Sequence, residues 1–247
     1  MGAWSQLAGQ EFLVWLAPEP GLHWADIGCG TGAFTELLAQ QRAPSKIYGL
    51  DPAKAQLDYA RQRAGTSGVT FRQGDAMALP FEDDSFDSAV MALVIFFVPD
   101  PGQGVAEMAR VVQPGGSVSS YAWDLYGGGF PYEPIQAEMR AVGMSPPWPP
   151  RPDASRMTAL TTLRETGGLK AIQSHEIKVR RNFMDFEEFW TASTGTGALK
   201  PIISAMAFKD LVELKARGQA NLRVADDAPV SYEAQANAIQ GRVPKSR

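Results

Sequence analysis

Three acids and a run of alternating glycines are the residues of this chain best suited to chemistry. Asp26 stands two positions before Gly28, and Gly28, Gly30 and Gly32 alternate with Cys29 and Thr31. Alternating glycines let the backbone turn sharply and lie against a ligand where a Cβ would collide. The spacing is G-x-G-x-G, not the G-x-G-x-x-G on which a dinucleotide pyrophosphate rests. An inward carboxylate repels a pyrophosphate but attracts an ammonium or a sulfonium. A second acid, Asp51, follows Gly28 by 23 positions and closes an apolar segment, where a carboxylate can hold two ribose hydroxyls. With Pro52 after it, Asp51 also suits a helix N-cap. The third acid, Asp75, sits in Gly74-Asp75-Ala76, which reads either as an Asx-type turn or as an acceptor for an exocyclic amine.

Alternating strand and helix patterns must position these groups. Trp24, Ala25 and Ile27 suit a buried parallel strand, and Phe34, Leu37 and Leu38 follow at helical core spacing, with the positive end of that helix toward the glycines. A second strand over 46–50 ends at Asp51, and Ala53, Leu57, Ala60 and Ala64 continue as a helix face. The third strand is expected over 69–73. Residues 86–97 are nearly continuously apolar, as in a central parallel strand, and bring Ala92 and Leu93 to the carboxyl edge of the sheet, where open α/β folds bind ligands. Asp100-Pro101-Gly102 breaks the chain before a helix carrying Val105, Met108 and Val112, and a fifth strand is expected over 117–124. Residues 4–16 form an amphipathic helix that covers a sheet edge.

From Asp26 to Asp124 the chain resembles the S-adenosylmethionine (SAM)-dependent methyltransferases of the Rossmann-like class, whose first motif is D/E-x-G-x-G-x-G. The resemblance rests on four motifs in order: the Asp26 glycine run, the Asp51 segment through Gln56, Gly74-Asp75-Ala76, and Phe86-Asp87 with the later Gln113-Pro114-Gly115-Gly116 and its strand. It is nearest to the small-molecule methyltransferases of ubiquinone and menaquinone biosynthesis. It implies a seven-stranded, mostly parallel sheet with the last strand antiparallel, helices on both faces and a helical cap. It implies SAM as cofactor, with S-adenosylhomocysteine (SAH) as product. The cofactor residues it implies are Asp26, Gly28, Cys29, Gly30, Asp51, Pro52, Gln56, Asp75, Ala76, Met77, Ala92 and Leu93, with Asp75 on the adenine amino group and Met77 on the purine face. A leading helix over the cofactor mouth would bring Trp4 or Phe12 against ligand; the alternative is that both are core. Met1-Gly2-Ala3-Trp4-Ser5 resembles the middle of a longer leading helix, so an upstream segment or a short lid is expected.

Residues 1–247 are expected to form one domain, with cap insertions at 125–156 and 182–229. A helix over 157–166, a sixth strand over 169–179 and a seventh over 231–239 complete the sheet. The implied chemistry is in-line methyl transfer, for which holding the nucleophile is the main requirement. No catalytic residue is assigned. His23 and His175, the two histidines, read as structural; Tyr121, Asp124 and Tyr126 are better located for a base; Cys29 reads as a small spacer. Ala92-Leu93-Val94 stands where amino-directed DNA enzymes carry N/D-P-P-Y/F.

The net charge of −4 and the absence of a long Lys/Arg run exclude a phosphate-binding footprint; Arg242, Lys245 and Arg247 read as a solvated tail. One cysteine excludes an intramolecular disulfide, and with two histidines no metal site is expected. The partner expected is a small-molecule acceptor, an O or C nucleophile, with no nucleic acid and no integral membrane association; a homodimer is left open. Without a long apolar stretch or a cationic leader a soluble, cytoplasmic protein is expected. Two rivals stand beside this reading: a SAM-binding protein without methyltransferase activity, and an NAD(P)-dependent oxidoreductase, which shares Asp51 but requires the other glycine spacing.

Overall fold

A computed structural model describes residues 2–195, 197–222, 225 and 228–245. Met1, Thr196 in the expected loop of the second insertion, four residues near its end, Ser246 and Arg247 of the basic tail lie outside the described residues. The seven strands are β1 (His23–Ile27), β2 (Lys46–Asp51), β3 (Thr70–Gln73), β4 (Phe86–Ala92), β5 (Val112–Trp123), β6 (Lys170–Phe183) and β7 (Val230–Arg242). They form one sheet in the order β3-β2-β1-β4-β5-β7-β6. β1 to β5 pair in parallel, and β7 is antiparallel to both β5 and β6, as expected for the last strand. The chain leaves β1 toward β2 on one side and returns through β4 on the other, so a crevice opens at the carboxyl ends of β1 and β4.

Helix α1 (Gly2–Leu16) packs across α2 (Ala33–Arg42) and β6. Its face toward the sheet is apolar: Trp4, Ala8, Phe12 and Leu13 are buried. Phe12 lies against the Tyr121 ring at 4.6 Å and the Phe34 ring at 6.0 Å, while Trp4 packs on Phe183 and Tyr232. The other sheet face is covered by α4 (Pro101–Val111) and α6 (Met157–Thr166), over a second core containing Val105, Met108 and Leu160. Asp100 caps α4 by accepting the Gln103 N–H at 3.1 Å, which stops the preceding extended chain and starts the helix.

Several boundaries differ from the sequence expectation. α3 begins at Lys54 and ends at Ala60, with Ala53 as its N-cap residue; Asp51 is therefore not the cap, and Ala64 lies in a separate 3-10 turn. The apolar run after Ala92 is not strand: Leu93 adopts a left-handed φ of 59° and Ile95–Phe97 forms a 3-10 turn. The turn buries Ile95 and Phe96 while exposing Phe97. β6 runs on to Phe183 because β7 pairs with it along its length.

Both expected insertions are helical and pack together. The first holds α5 (Glu133–Ala141); the second holds α7 (Phe186–Thr194), α8 (Leu199–Ala205) and α9 (Phe208–Leu222). Glu138 of α5 accepts from Arg217 Nε at 2.9 Å and Asn221 Nδ2 at 2.8 Å of α9. Those bonds hold its carboxyl below the usual range, the Asn221 bond most of all and the Arg217 bond and charge after it. Among the described residues no helix is long and apolar enough to cross a membrane.

The α1 seam rests on Phe12, which is fully buried. Phe12→Ala is expected to lower unfolding stability by about 3–5 kcal/mol, measured by chemical denaturation. A loss under about 1 kcal/mol would show that α1 is only loosely attached to the sheet.

Candidate functional site

The crevice at the sheet switch point contains two adjoining clefts that share Gly28 and Gly30. One, of about 460 Å³, is lined on the strand side by Leu50, Asp51, Pro52, Gln56, Asp75 and Ala76, and across from them by Val94, Phe97, Val98 and Pro99. The other, of about 180 Å³, is lined by Asp26, Cys29, Thr31, Phe34, Ala92, Leu93 and Tyr121, with Ser5 and Gln6 of α1. Eleven of the twelve expected cofactor residues thus line one cleft or both.

The glycine turn is built to let something close. Gly28 has φ +75°, and a Cβ there would meet Val94 Cγ1 at 2.5 Å. The backbone N–H groups of Gly28 and Cys29 both donate to the Leu50 carbonyl, at 2.7 and 2.9 Å, which pins the turn to the end of β2. Cys29 is buried, and burial, with the nearby Asp26 and Asp51 charges, pushes its thiol far up. A thiol so held is not a nucleophile, so the spacer role expected for it fits.

Asp51 is tied at both oxygens: Oδ2 accepts the Gly30 N–H at 2.9 Å and Oδ1 the Ala53 N–H at 2.8 Å. Fixed in this way, each oxygen retains acceptor capacity toward the larger cleft. Asp75 Oδ1 accepts the Met77 N–H at 2.8 Å, so the Asx-type turn is formed and the second oxygen lies outside it. Met77 lines neither cleft. Its carbonyl accepts from Gln103 Nε2 at 3.4 Å and its partly buried side chain packs against the second core, so the apolar side of the larger cleft falls to Val94, Phe97 and Val98. Those positions were hidden from sequence reasoning because the apolar run reads as strand.

Asp26 is the unusual group. Its side chain is fully buried, and Oδ2 accepts from Thr35 Oγ1 at 2.6 Å. Its Oδ1 is buried without any hydrogen-bond partner. Burial raises its carboxyl to about 7, against the Thr35 bond, which lowers it, and with the Asp51 charge adding to the rise. An orphaned carboxylate oxygen in a cleft calls for a donor, and a cation is the donor that also restores its ionisation.

Of the two readings left open for Trp4 and Phe12, the structure agrees with the core one. Trp4 and Phe12 belong to the core, whereas Ser5 and Gln6 reach the cleft. Neither histidine is near it. His23 packs against Phe86 at 4.7 Å, and His175 stacks on Trp15 at 5.6 Å. Asp124 Oδ1 accepts the Gly127 N–H in a turn, and Tyr126 is half-exposed under the Arg156 guanidinium. Tyr121 does line the smaller cleft, but burial and Asp26 push its phenol well up, which makes it a poor base. Among the described residues no group of His, Cys, Asp and Glu could hold a metal ion.

A third cavity, of about 400 Å³, adjoins the smaller cleft through Leu93 and Ser5. The sheet contributes Trp123, the 3-10 turn Phe96 and Phe97, and the cap Phe130, Tyr132, Gln136, Trp148 and Leu199. Leu93 stands on the boundary of both spaces in its left-handed conformation, fixed by its N–H to the Tyr121 carbonyl at 2.9 Å. Strain of this kind at a strand end persists where the surroundings over-determine it.

A family described as Methyltransferase domain matches residues 25–119. Over 107 residues the chain is 43% identical to a demethylmenaquinone methyltransferase of Desulfitobacterium hafniense, covering 41% of this chain and 42% of the relative. Over 144 residues it is 31% identical to a 2-phytyl-1,4-naphtoquinone methyltransferase of Synechococcus elongatus, covering 56% and 58%. The chain therefore spans about half the length of these curated relatives. Among solved structures, the YcgJ protein of Bacillus subtilis is similar at a TM-score of 0.63 with 20% identity, covering 96% of this chain and 98% of that one. A Haemonchus contortus phosphoethanolamine N-methyltransferase 2 solved with SAM is similar at a TM-score of 0.59 with 17% identity, over 96% of this chain and 52% of that one.

The Asp26 titration generates a signed expectation. A carboxyl raised to about 7 in the free protein, against an ordinary value of 3.8, costs folding stability as pH rises between those values. A cationic ligand reverses that cost by favouring ionisation, so its binding releases a proton near neutral pH. Affinity for SAH is expected to be about fivefold to tenfold weaker at pH 6.0 than at pH 7.5, with buffer-dependent calorimetric enthalpies, and Asp26→Asn should abolish both effects. A wild-type affinity flat across this range would mean that Asp26 does not meet the ligand's charge. Over residues 25–119 this chain is similar in sequence to a methyltransferase domain, and over nearly its whole length it shares its fold with a solved methyltransferase.

Proposed function

We propose that this chain binds SAM across the two clefts and transfers its methyl group to a small, apolar, uncharged acceptor held in the third cavity. The observation that carries the reading is the orphaned Asp26 Oδ1 beside a glycine turn, with an apolar chamber on the far side of Leu93. The residues present fit the cofactor. Asp26 would take the ammonium, Asp51 the ribose hydroxyls, Asp75 with the Ala76 backbone the adenine edge, and Val94, Phe97 and Val98 its faces. Gly28 and Gly30 would let the chain approach closely, and Pro52, Gln56, Ala92 and Leu93 would close the walls. When bound, SAM supplies a methyl group already activated on its sulfonium.

What the chain itself contributes is placement and exclusion of water. Leu93 separates the cofactor side from the chamber, and the aromatic walls there orient a flat acceptor toward it. No Asp, Glu, Lys, Arg or His is among the described residues lining the chamber, so a charged amine, carboxylate or phosphate would lose its hydration without compensation. A neutral oxygen or carbon nucleophile avoids that cost, and relatives named for menaquinone and naphthoquinone methylation support the same class. The same absence leaves no protein base in the chamber and favours, as second reading, a protein that binds SAM without turnover.

The test is transfer of label from methyl-tritiated SAM to a panel of neutral hydroquinones and phenols, with amines and carboxylates in parallel. Incorporation is expected with neutral acceptors only, and Gly28→Ala should reduce it at least tenfold by blocking the turn against Val94. SAM binding with no incorporation on any acceptor would establish the second reading, and incorporation mainly on amines would contradict the acceptor class.

A further inference from the structure

Phe97 is the one described residue that lines both the larger cleft and the chamber. It is also 57% exposed, whereas Ile95 and Phe96 of the same turn are buried. The backbone beneath the ring does not share that freedom. The Phe97 N–H donates to the Val94 carbonyl at 2.7 Å, and the Val98 N–H to the Ile95 carbonyl at 3.3 Å. Arg151, in the first insertion, ties the turn to the cap: its backbone N–H donates to the Phe96 carbonyl at 3.0 Å and its Nη1 to the Pro99 carbonyl at 3.0 Å. The Phe96 ring meets that of Phe97 at 4.9 Å. A large aromatic ring therefore stands on a pinned backbone, borders two separate spaces and is more than half in water.

Covering such a ring removes apolar surface from water and costs the rotamer freedom of its side chain. The ligand that arrives first meets that ordering cost. A second ligand, bordering a ring already ordered, binds with less of it to overcome, which is positive coupling without any movement of the backbone. Competition for room does not oppose this, because the larger cleft and the chamber share no other described lining residue. Leu93 and Ser5, which the chamber shares with the smaller cleft, are only half-exposed at most and leave less surface to be covered. The coupling is thus concentrated on Phe97.

We infer that Phe97 couples the two sites: a nucleoside group in the larger cleft covers and orders its ring, and a neutral, flat ligand then binds the chamber more tightly. By linkage the chamber ligand tightens cofactor binding by the same factor. The inference rests on the SAM reading for the identity of the first ligand, and it goes beyond that reading by making the cofactor-loaded protein the form that takes up the acceptor. Coupling of this kind is a binding property and is read without turnover.

The test is a calorimetric cycle on the full chain with 1-naphthol as chamber probe and SAH as cofactor-side ligand. Wild-type protein is expected to bind 1-naphthol at least about fivefold more tightly with saturating SAH than without it, and SAH to gain the same factor from saturating 1-naphthol. Phe97→Ala should bring both factors below about twofold, whatever it does to either affinity alone, and Phe97→Tyr should keep them. Because the ring is exposed, neither variant opens a hole in the core. Phe130→Ala is the contrast: Phe130 borders the chamber only, so its loss should weaken 1-naphthol equally with and without SAH and leave the factor as in the wild type. Independent or mutually weakened binding in the wild type would overturn the inference, as would a factor that survives in Phe97→Ala or vanishes equally in Phe130→Ala. Failure of 1-naphthol to bind with or without SAH would also overturn it. SAH bound without coupling strikes the inference alone, whereas SAH failing to bind the wild type strikes the SAM reading and the inference with it.

Discussion

The site depends on a carboxylate kept out of water. Asp26 comes from the middle of the sheet, where β1 is flanked on both sides by paired strands, and the neighbouring side chains remove all its exposure. Such a group is unfavourable in an empty protein, which is why its carboxyl is held near neutrality. Thr35 on the first turn of α2 satisfies one oxygen and leaves the other for a ligand. The unsatisfied oxygen is thus a specific demand for a cationic donor, and the neighbouring glycine turn supplies the space through which one can come close.

Around this point the fold divides labour between a rigid half and a built-on half. The parallel strands and the turn at Gly28 hold Asp26, Asp51 and Asp75 at three strand ends, each fixed by a local hydrogen bond. The cap is assembled from two separated insertions joined through Glu138, and it closes the chamber over the sheet without adding an ionisable acid or base among the described lining residues. Leu93 joins the halves. Its left-handed backbone ends β4 abruptly and turns Val94 back against Gly28, so one residue ends the strand, borders the smaller cleft and walls the chamber.

The parallel part of the fold was legible because its determinants are local. Apolar strand segments, glycine turns and strand-end acids repeat at short spacing, and Asp26, Asp51 and Asp75 could be placed from them. Phe96 and Phe97 were not, because a continuous apolar run does not distinguish a strand from a tight turn packed at a sheet edge. Met77 lies outside both clefts for a related reason: an apolar side chain suits a cleft wall and a core edge alike, and here it packs, partly buried, against the second core. On α1, Trp4 and Phe12 drew attention by size, while the small polar Ser5 and Gln6 reach the cleft because they lie on the helix face turned away from the core.

The most direct measurement is a calorimetric titration of the wild-type protein with SAH, with NAD⁺ run in parallel under the same buffer. The account predicts micromolar binding of SAH with release of a proton near neutral pH and no heat from NAD⁺. Binding of NAD⁺ without SAH would contradict it, and would mean that the carboxylate at Asp26 tolerates a pyrophosphate that its charge should repel.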